Sequence, residues 1–259
     1  MAELALGHAL SLLRRLPAAD AAARAGLACA GPYGSLAGAQ VGVVGYSALG
    51  SALCERLAAF GPATVWYLDT PGEDLTTRVP SLLPFGCADT VPLARAAALP
   101  DLLATCDVVF LAAPLTAKSA RCIDSAALTT IKTGCVLINA SAGSLVDEPA
   151  VAAALARGQL GGYACDGFAC EDAGPGSAGV QSVPTALVNA GRTHFSTRAG
   201  GAVTATRQRV ELEAARALAE ALDGRAVKSA LNQVPQRRAG DRPANGVTPQ
   251  GWAAYLWCF

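Results

Sequence analysis

The sequence is poor in charge. Of its 259 residues only 15% are charged, twenty basic against twenty acidic, so the formal net charge is zero. With 52% apolar residues, the chain has the opposite of the composition that keeps a chain disordered. A balance this even also excludes a basic nucleic-acid footprint spread over the whole protein. Aromatics are scarce at 5%, whereas fifty-seven residues are alanine, so the core must be built largely from thin side chains. No stretch reaches the ~18 uninterrupted apolar residues of a membrane-spanning helix. The opening Met1-Ala-Glu-Leu-Ala-Leu-Gly-His8 carries an acid where a secretory leader carries bases, so export is not expected. Nine cysteines, an odd number, include no Cys-x-x-Cys pair. Cys54, Cys106 and Cys135 sit inside apolar runs, where free cysteine behaves as a small hydrophobe. These features predict an intracellular chain, cytoplasmic or nuclear, in a reducing compartment, with no metal site and no membrane or direct nucleic-acid partner.

What the sequence does have is alternation of period. Residues 3–16 carry apolar side chains at helical spacing, and residues 25–39 read as a connector rich in Gly, Ala and Ser. The run from Gln40 to Gly45 is short, apolar and β-branched, as in a strand buried on both faces. Helical spacing over Ser51–Phe60 ends at Gly61-Pro62, and Thr64–Leu68 is a second strand. Further helices are predicted over Leu99–Cys106, Ser125–Ile131 and Glu148–Arg157. They alternate with strands over Asp107–Ala112, Cys135–Asn139, Gly162–Cys165 and Ala186–Asn189. A long helix follows over Ala202–Leu222, and after Gln236 a polar tail. Repeated strand–helix–strand units with apolar strands specify an α/β fold, a Rossmann-type doubly wound parallel sheet with flanking helices. The expected organisation is a linker helix and connector over 1–35, the Rossmann domain over 36–200, a C-terminal helix over 201–235 and a flexible tail over 236–259.

The chemistry concentrates at the first strand–helix junction, Val41-Gly-Val-Val-Gly45-Tyr-Ser47-Ala-Leu-Gly50. This Gly-x-Ser-x-x-Gly is one residue off the dinucleotide fingerprint. In that fingerprint one glycine turns the chain, one admits pyrophosphate to the backbone, and one lets helix and strand pack closely. The helix N-terminus then presents amides and partial positive charge to phosphate. Ser47 replaces the middle glycine, being small and able to donate to a phosphate oxygen. Asp69, nineteen residues after Gly50 at the end of the second strand, stands where a carboxylate takes the adenosine ribose hydroxyls and favours NAD over NADP. A plain α/β turn with a solvated aspartate, or a related ligand such as S-adenosylmethionine, remains an alternative on these residues alone.

Several further stretches, in order, resemble the NAD-binding domain of the D-isomer-specific 2-hydroxyacid dehydrogenases. They are Cys106-Asp107-Val-Val-Phe-Leu-Ala-Ala-Pro114-Leu-Thr116, Ile131-Lys-Thr-Gly-Cys-Val-Leu-Ile-Asn139, Gly143-Ser-Leu-Val-Asp147-Glu, Ala154-Leu-Ala-Arg-Gly158 and Gly162-Tyr-Ala-Cys-Asp166. The resemblance runs from about residue 36 to 200. It implies NAD bound with its pyrophosphate over Gly45, Ser47, Ala48, Leu49 and Gly50 and its adenosine ribose on Asp69. It places Ala113, Pro114 and Ser119 on the adenine side, with Ala140, Ser141 and Asp166 nearer the nicotinamide.

Catalysis in the family uses an arginine that holds the substrate carboxylate, a histidine acid/base and a glutamate that orients it. The arginine of Asn-Thr-Ala-Arg-Gly falls on Ala142 in Asn139-Ala-Ser-Ala142-Gly143, so the bidentate fork for a carboxylate is missing. The glutamate falls on Glu171. An ungapped alignment on Thr197 puts Arg192 in the histidine's place, and arginine is no proton shuttle near neutral pH. His194, two residues on, could serve as the catalytic acid only if the loop shifts. His8 is expected to be packing or surface. The stretch Glu213–Asn232 resembles the same region of the C-terminal-binding proteins, and Asp69-Thr-Pro-Gly-Glu-Asp74, Asp166-Gly167 and the arginine in place of histidine resemble the plant Angustifolia proteins within that group. That branch implies an NAD-binding regulator or scaffold with impaired catalysis. The alternative is an active NAD-dependent oxidoreductase acting on the CH–OH group of 2-hydroxy or 2-oxo acids. Met1 falls within the family's inter-domain helix, so the substrate domain is expected to be largely absent. The exposed faces of the flanking helices imply a homodimer or other protein partners, with a small 2-oxo acid as the small-molecule candidate.

Overall fold

The computed structural model describes residues 1–28, 31–69, 91–170, 183–223, 225 and 227. They fall in two compact units, Met1–Val203 and the segment from Thr204 onward. The first unit is built on a seven-stranded, wholly parallel sheet. Its strands are β1 (Gln40–Val44), β2 (Thr64–Leu68), β3 (Leu93–Arg95), β4 (Val108–Leu111), β5 (Cys135–Asn139), β6 (Leu160–Cys165) and β7 (Thr193–Phe195). They lie in the order β3-β2-β1-β4-β5-β6-β7. The chain winds outward from β1 to β3, then returns to place β4 on the other side of β1. The crevice at the carboxyl ends of β1 and β4 is therefore the topological switch point, where sheets of this kind bind ligands.

Successive strand residues point to opposite faces, and both faces are covered. Val108 and Phe110 of β4 pack with Val41, Val43, Val136 and Ile138 beneath helices α1 (Ala2–Arg14) and α3 (Ala48–Ala58). Their neighbours Val109 and Leu111 pack with Leu137, Tyr163 and Cys165 on the other face. That face is covered by helices α4 (Leu99–Thr105), α5 (Ser125–Thr130), α6 (Glu148–Ala156) and α7 (Thr185–Asn189). The central strands β1, β4 and β5 read as apolar runs because neither of their faces meets water.

The first predicted helix is two. Arg15 adopts a left-handed conformation (φ 51°), and Leu16–Arg24 forms α2 with Pro17 in its first turn, where its missing N–H costs nothing. The apolar face of α1 is packed, burying Ala2, Ala5, Leu6 and Ala9 with His8 and Ser11. It belongs to the same compact unit as the sheet. Ala186–Asn189, expected as a strand, lies in helix α7, entered through Pro184. The last strand is instead Thr193–Phe195, paired with Tyr163–Cys165. The second unit contains α8 (Thr204–Leu222), none of whose residues is buried. Residues 236–259 and Glu171 lie outside the described residues.

Candidate dinucleotide site

The site grows from the turn after β1. Gly45 takes φ +95°, and a Cβ on it would lie 2.4 Å from Ala113 Cα, so the turn and the loop after β4 touch backbone to backbone. A Cβ on Gly50 would lie 2.1 Å from Gly45 O, which holds the first turn of α3 against the same glycine. Ser47 caps α3, accepting from Gly50 N at 3.4 Å. Its single hydroxyl hydrogen is donated to Ala112 O at 2.9 Å. The serine therefore braces the helix to the loop after β4 and has no hydrogen left for a phosphate. The amides of Ala48 and Leu49, which have no intrahelical acceptor in the first turn of a helix, remain for that purpose.

Asp69 closes β2 with its side chain 8% exposed, and its Oδ2 lies 2.7 Å from the guanidinium of Arg95 at the end of β3. After β4, Ser119 donates to Pro114 O at 2.7 Å and accepts from Thr116 N at 2.8 Å, which locks the loop that contains Ala113 and Pro114. After β5, Ser141 donates to Ala113 O at 2.6 Å, and Asn139 donates through Nδ2 to Ala142 O at 2.9 Å. A Cβ on Gly143 would lie 2.1 Å from the carbonyl carbon of Phe168, so the loops after β5 and β6 are also in backbone contact.

Asp166 follows β6 and is buried. Its carboxylate accepts from Ala199 N at 2.8 Å, Gly200 N at 2.9 Å and the hydroxyl of Ser196. The structure thus brings Gly45, Ser47, Ala48, Leu49, Gly50, Asp69, Ala113, Pro114, Ser119, Ala140, Ser141 and Asp166 to one edge of the sheet.

The acid/base candidates are placed differently. Arg192 precedes β7, at the amino edge, where its carbonyl accepts from Tyr163 N at 3.1 Å. It stands across the sheet from the site, so the ungapped alignment is shifted. The residue at the carboxyl edge of β7 is Arg198, in Ser196-Thr197-Arg198, held with φ 52° and with its N donating to Asp166 O at 2.7 Å. His194 lies within β7, with its Nδ1 2.8 Å from Nδ1 of His8. The buried His8, expected as packing or surface, touches Ser196 Oγ through Nε2 at 2.9 Å. Neither Ser196 nor Arg198 was among the residues singled out by sequence.

Burial and the facing imidazole of His194 push the His8 pKa down to about 4 from an ordinary 6.5, and Asp166 only partly opposes this. A histidine whose pKa is lower folded than unfolded contributes a stability that is complete above the unfolded value and is lost as pH falls toward the folded one. Between pH 7.5 and 5, His8 alone is expected to remove about 2 kcal/mol. Melting followed across that range should show a wild-type decline steeper than that of His8→Gln, which keeps only the downward-shifted His194. Parallel curves for the two proteins would contradict it.

With this geometry in view, the comparisons with known proteins decide the family. The NAD-binding domain model of the D-isomer specific 2-hydroxyacid dehydrogenases matches residues 6–190. The chain belongs to this dehydrogenase family. The D-3-phosphoglycerate dehydrogenase of Haemophilus influenzae is 34% identical over 175 residues, covering 67% of this chain and 39% of that protein. The Escherichia coli enzyme of the same name is 31% identical over 237 residues, covering 90% of this chain and 52% of that protein. The chain thus spans about half the length of these relatives, or less. A D-lactate dehydrogenase of Treponema pallidum shares the fold with a TM-score of 0.72 at 20% identity, over 88% of this chain and 66% of that one. The cofactor of this dehydrogenase domain is NAD, and the residues present fit it. The glycine cradle at 45 and 50 is one a Cβ would fill, and an acidic side chain closes β2. No helix among the described residues is long and apolar enough to cross a membrane.

Proposed function

We propose that this chain binds NAD(H) without rapid turnover and acts as a regulator or scaffold, in the manner of the C-terminal-binding proteins. The observation that carries the reading is Ala142, a methyl group where the family's substrate-holding arginine belongs. A second loss goes with it, since the carboxyl edge of β7 offers Arg198 rather than a proton shuttle. Bound NAD would supply a hydride acceptor or, as NADH, a donor. The chain's own part is to cradle pyrophosphate on the amides of Ala48 and Leu49 and to take the adenosine ribose on Asp69. Ala113, Pro114 and Ser119 would line the adenine side, and Ala140, Ser141 and Asp166 the nicotinamide side. Partners in this reading are a second copy or another protein.

The alternative, an active oxidoreductase on 2-hydroxy or 2-oxo acids, draws on the dehydrogenase names of the relatives and on the hydrogen-bonded His194 beside the site. Two measurements separate these readings: titration with NADH, then NADH consumption in the presence of small 2-oxo acids. In the titration, Asp69→Ala is expected to weaken NADH binding by about 1–3 kcal/mol, because it leaves the ribose hydroxyls without a charged acceptor. Equal affinity in mutant and parent, or tighter binding of NADPH than NADH by the parent, would contradict the placement of the adenosine.

A further inference from the structure

The network that ends on Asp166 has a direction. Ser196 has one hydroxyl hydrogen, and its Oγ donates to Asp166 Oδ1. Its oxygen must then accept in its contact with His8, so His8 carries its proton on Nε2, 2.9 Å away. A neutral imidazole protonated at Nε2 has only a lone pair at Nδ1. The 2.8 Å contact between the two Nδ1 atoms is therefore a hydrogen bond donated by His194 to His8. Every hydrogen in the chain His194, His8, Ser196, Asp166 points toward the carboxylate.

The chain also crosses the fold. His194 lies on β7 opposite Ala164 of β6, while Phe195 packs on the other sheet face, so the imidazole turns toward α1. His8 reaches it from α1, 186 positions away in sequence. The receiving carboxylate clamps the loop beyond β7, taking the amides of Ala199 and Gly200, while its own carbonyl takes the amide of Arg198. Gly200 is itself buried: a Cβ there would meet Met1 Sδ at 1.7 Å and Asp166 Oδ2 at 3.1 Å, and its carbonyl accepts from the Met1 ammonium at 3.0 Å, so Met1 backs the loop together with the carboxylate. A loop held this closely is set by where the carboxylate points.

We propose that His8 is a positioning residue: by donating to Ser196 it orients the Asp166 carboxylate and the loop over residues 196–201 at the nicotinamide end of the NAD site. The proposal rests on the cofactor placement above. Its mechanism is a hydrogen bond to a group that must be aimed, one element removed from any contact with cofactor. It requires a donor at the position of His8 Nε2, and no proton need move along the chain.

The test is equilibrium titration of the full chain with two ligands, NADH and ADP-ribose, which shares everything but the nicotinamide. His8→Leu, which keeps the bulk and removes the donor, is expected to weaken NADH binding by about tenfold and to leave ADP-ribose unchanged. His8→Gln, which restores an N–H donor, is expected to return NADH affinity to that of the parent. Ser196→Ala is expected to reproduce the His8→Leu loss, and the double variant to add nothing to it, because both break one chain. Nitrogen chemical shifts of the parent's histidines should show His8 protonated at Nε2 and not at Nδ1, a reading that holds even if a variant does not fold. Undiminished NADH affinity in His8→Leu, equal loss of both ligands, no recovery in His8→Gln, or the opposite tautomer would each overturn the proposal. A parent protein that binds neither ligand would instead overturn the cofactor placement on which it rests.

Discussion

Gly50→Ala is expected to cost about 3 kcal/mol of stability and to abolish NADH binding. The added methyl group would begin 2.1 Å from Gly45 O, a backbone atom in a turn that is itself fixed at φ +95°. No side-chain rotamer relieves that contact, so either α3 moves away from the sheet or the turn opens. Both movements displace the amides of Ala48 and Leu49 from the crevice between β1 and β4. The loss should exceed that of any surface substitution in the same helix. Urea unfolding gives the first quantity and fluorescence titration with NADH the second. A variant that unfolds with the parent and binds NADH equally would show that helix and turn can part without consequence.

Reduction of glyoxylate or pyruvate by NADH is expected to be negligible even when NADH binds well. A 2-oxo acid must be gripped by its carboxylate while hydride reaches the carbonyl carbon and a proton reaches its oxygen. Ala142 precedes the 3-10 turn Gly143–Leu145, with its carbonyl tied to Asn139 and its methyl group half-buried against the core, so no cationic group stands at this position. An arginine, unlike a histidine, is no proton shuttle, so Arg198 does not replace the family's acid. Loss of a positioned acid typically lowers the rate by factors of about 10² or more, and loss of the anchor adds to this without simple additivity. Restoring both groups, with Ala142→Arg and Arg198→His in one chain, should raise NADH consumption measurably above that of the parent. Robust turnover by the unmodified chain, abolished by His194→Ala, would show that the histidine pair does the work assigned elsewhere to a single acid.

Much of this site could be read without coordinates, and the reasons are local. Val41–Val44, Val108–Leu111 and Cys135–Asn139 are buried on both faces, so each reads as an apolar run that ends at or shortly before Gly45, Pro114 or Asn139. The site residues follow those stops directly. At the sheet edges the signal fails. β3 and β7 are three residues each, and neither contains a fully buried residue, so neither has a period to detect. Without a visible β7 the alignment rests on Thr197 alone. It settled on Arg192, six positions before the arginine that the strand delivers to the site. Ala186–Asn189 differs from expectation for a related reason: four residues, three of them apolar, suit a buried strand and a short helix equally, and only the packing of Leu187 chooses. His8 was hidden because a histidine on an apolar helix face has no partner in its own neighbourhood. Its partners come from the far end of the domain.

The brace made by Ser47 changes what association with a nucleotide has to accomplish. A cradle of three glycines is soft, and its backbone loses freedom at the moment a phosphate arrives. Here one side chain has already tied the start of α3 to the loop after β4, so that freedom was given up during folding. Capture of a dinucleotide by such a rim should proceed with little rearrangement of the turn and a smaller unfavourable entropy than in a glycine-only relative. Differences between mutants at this rim should then fall mainly on the rate of escape rather than the rate of entry.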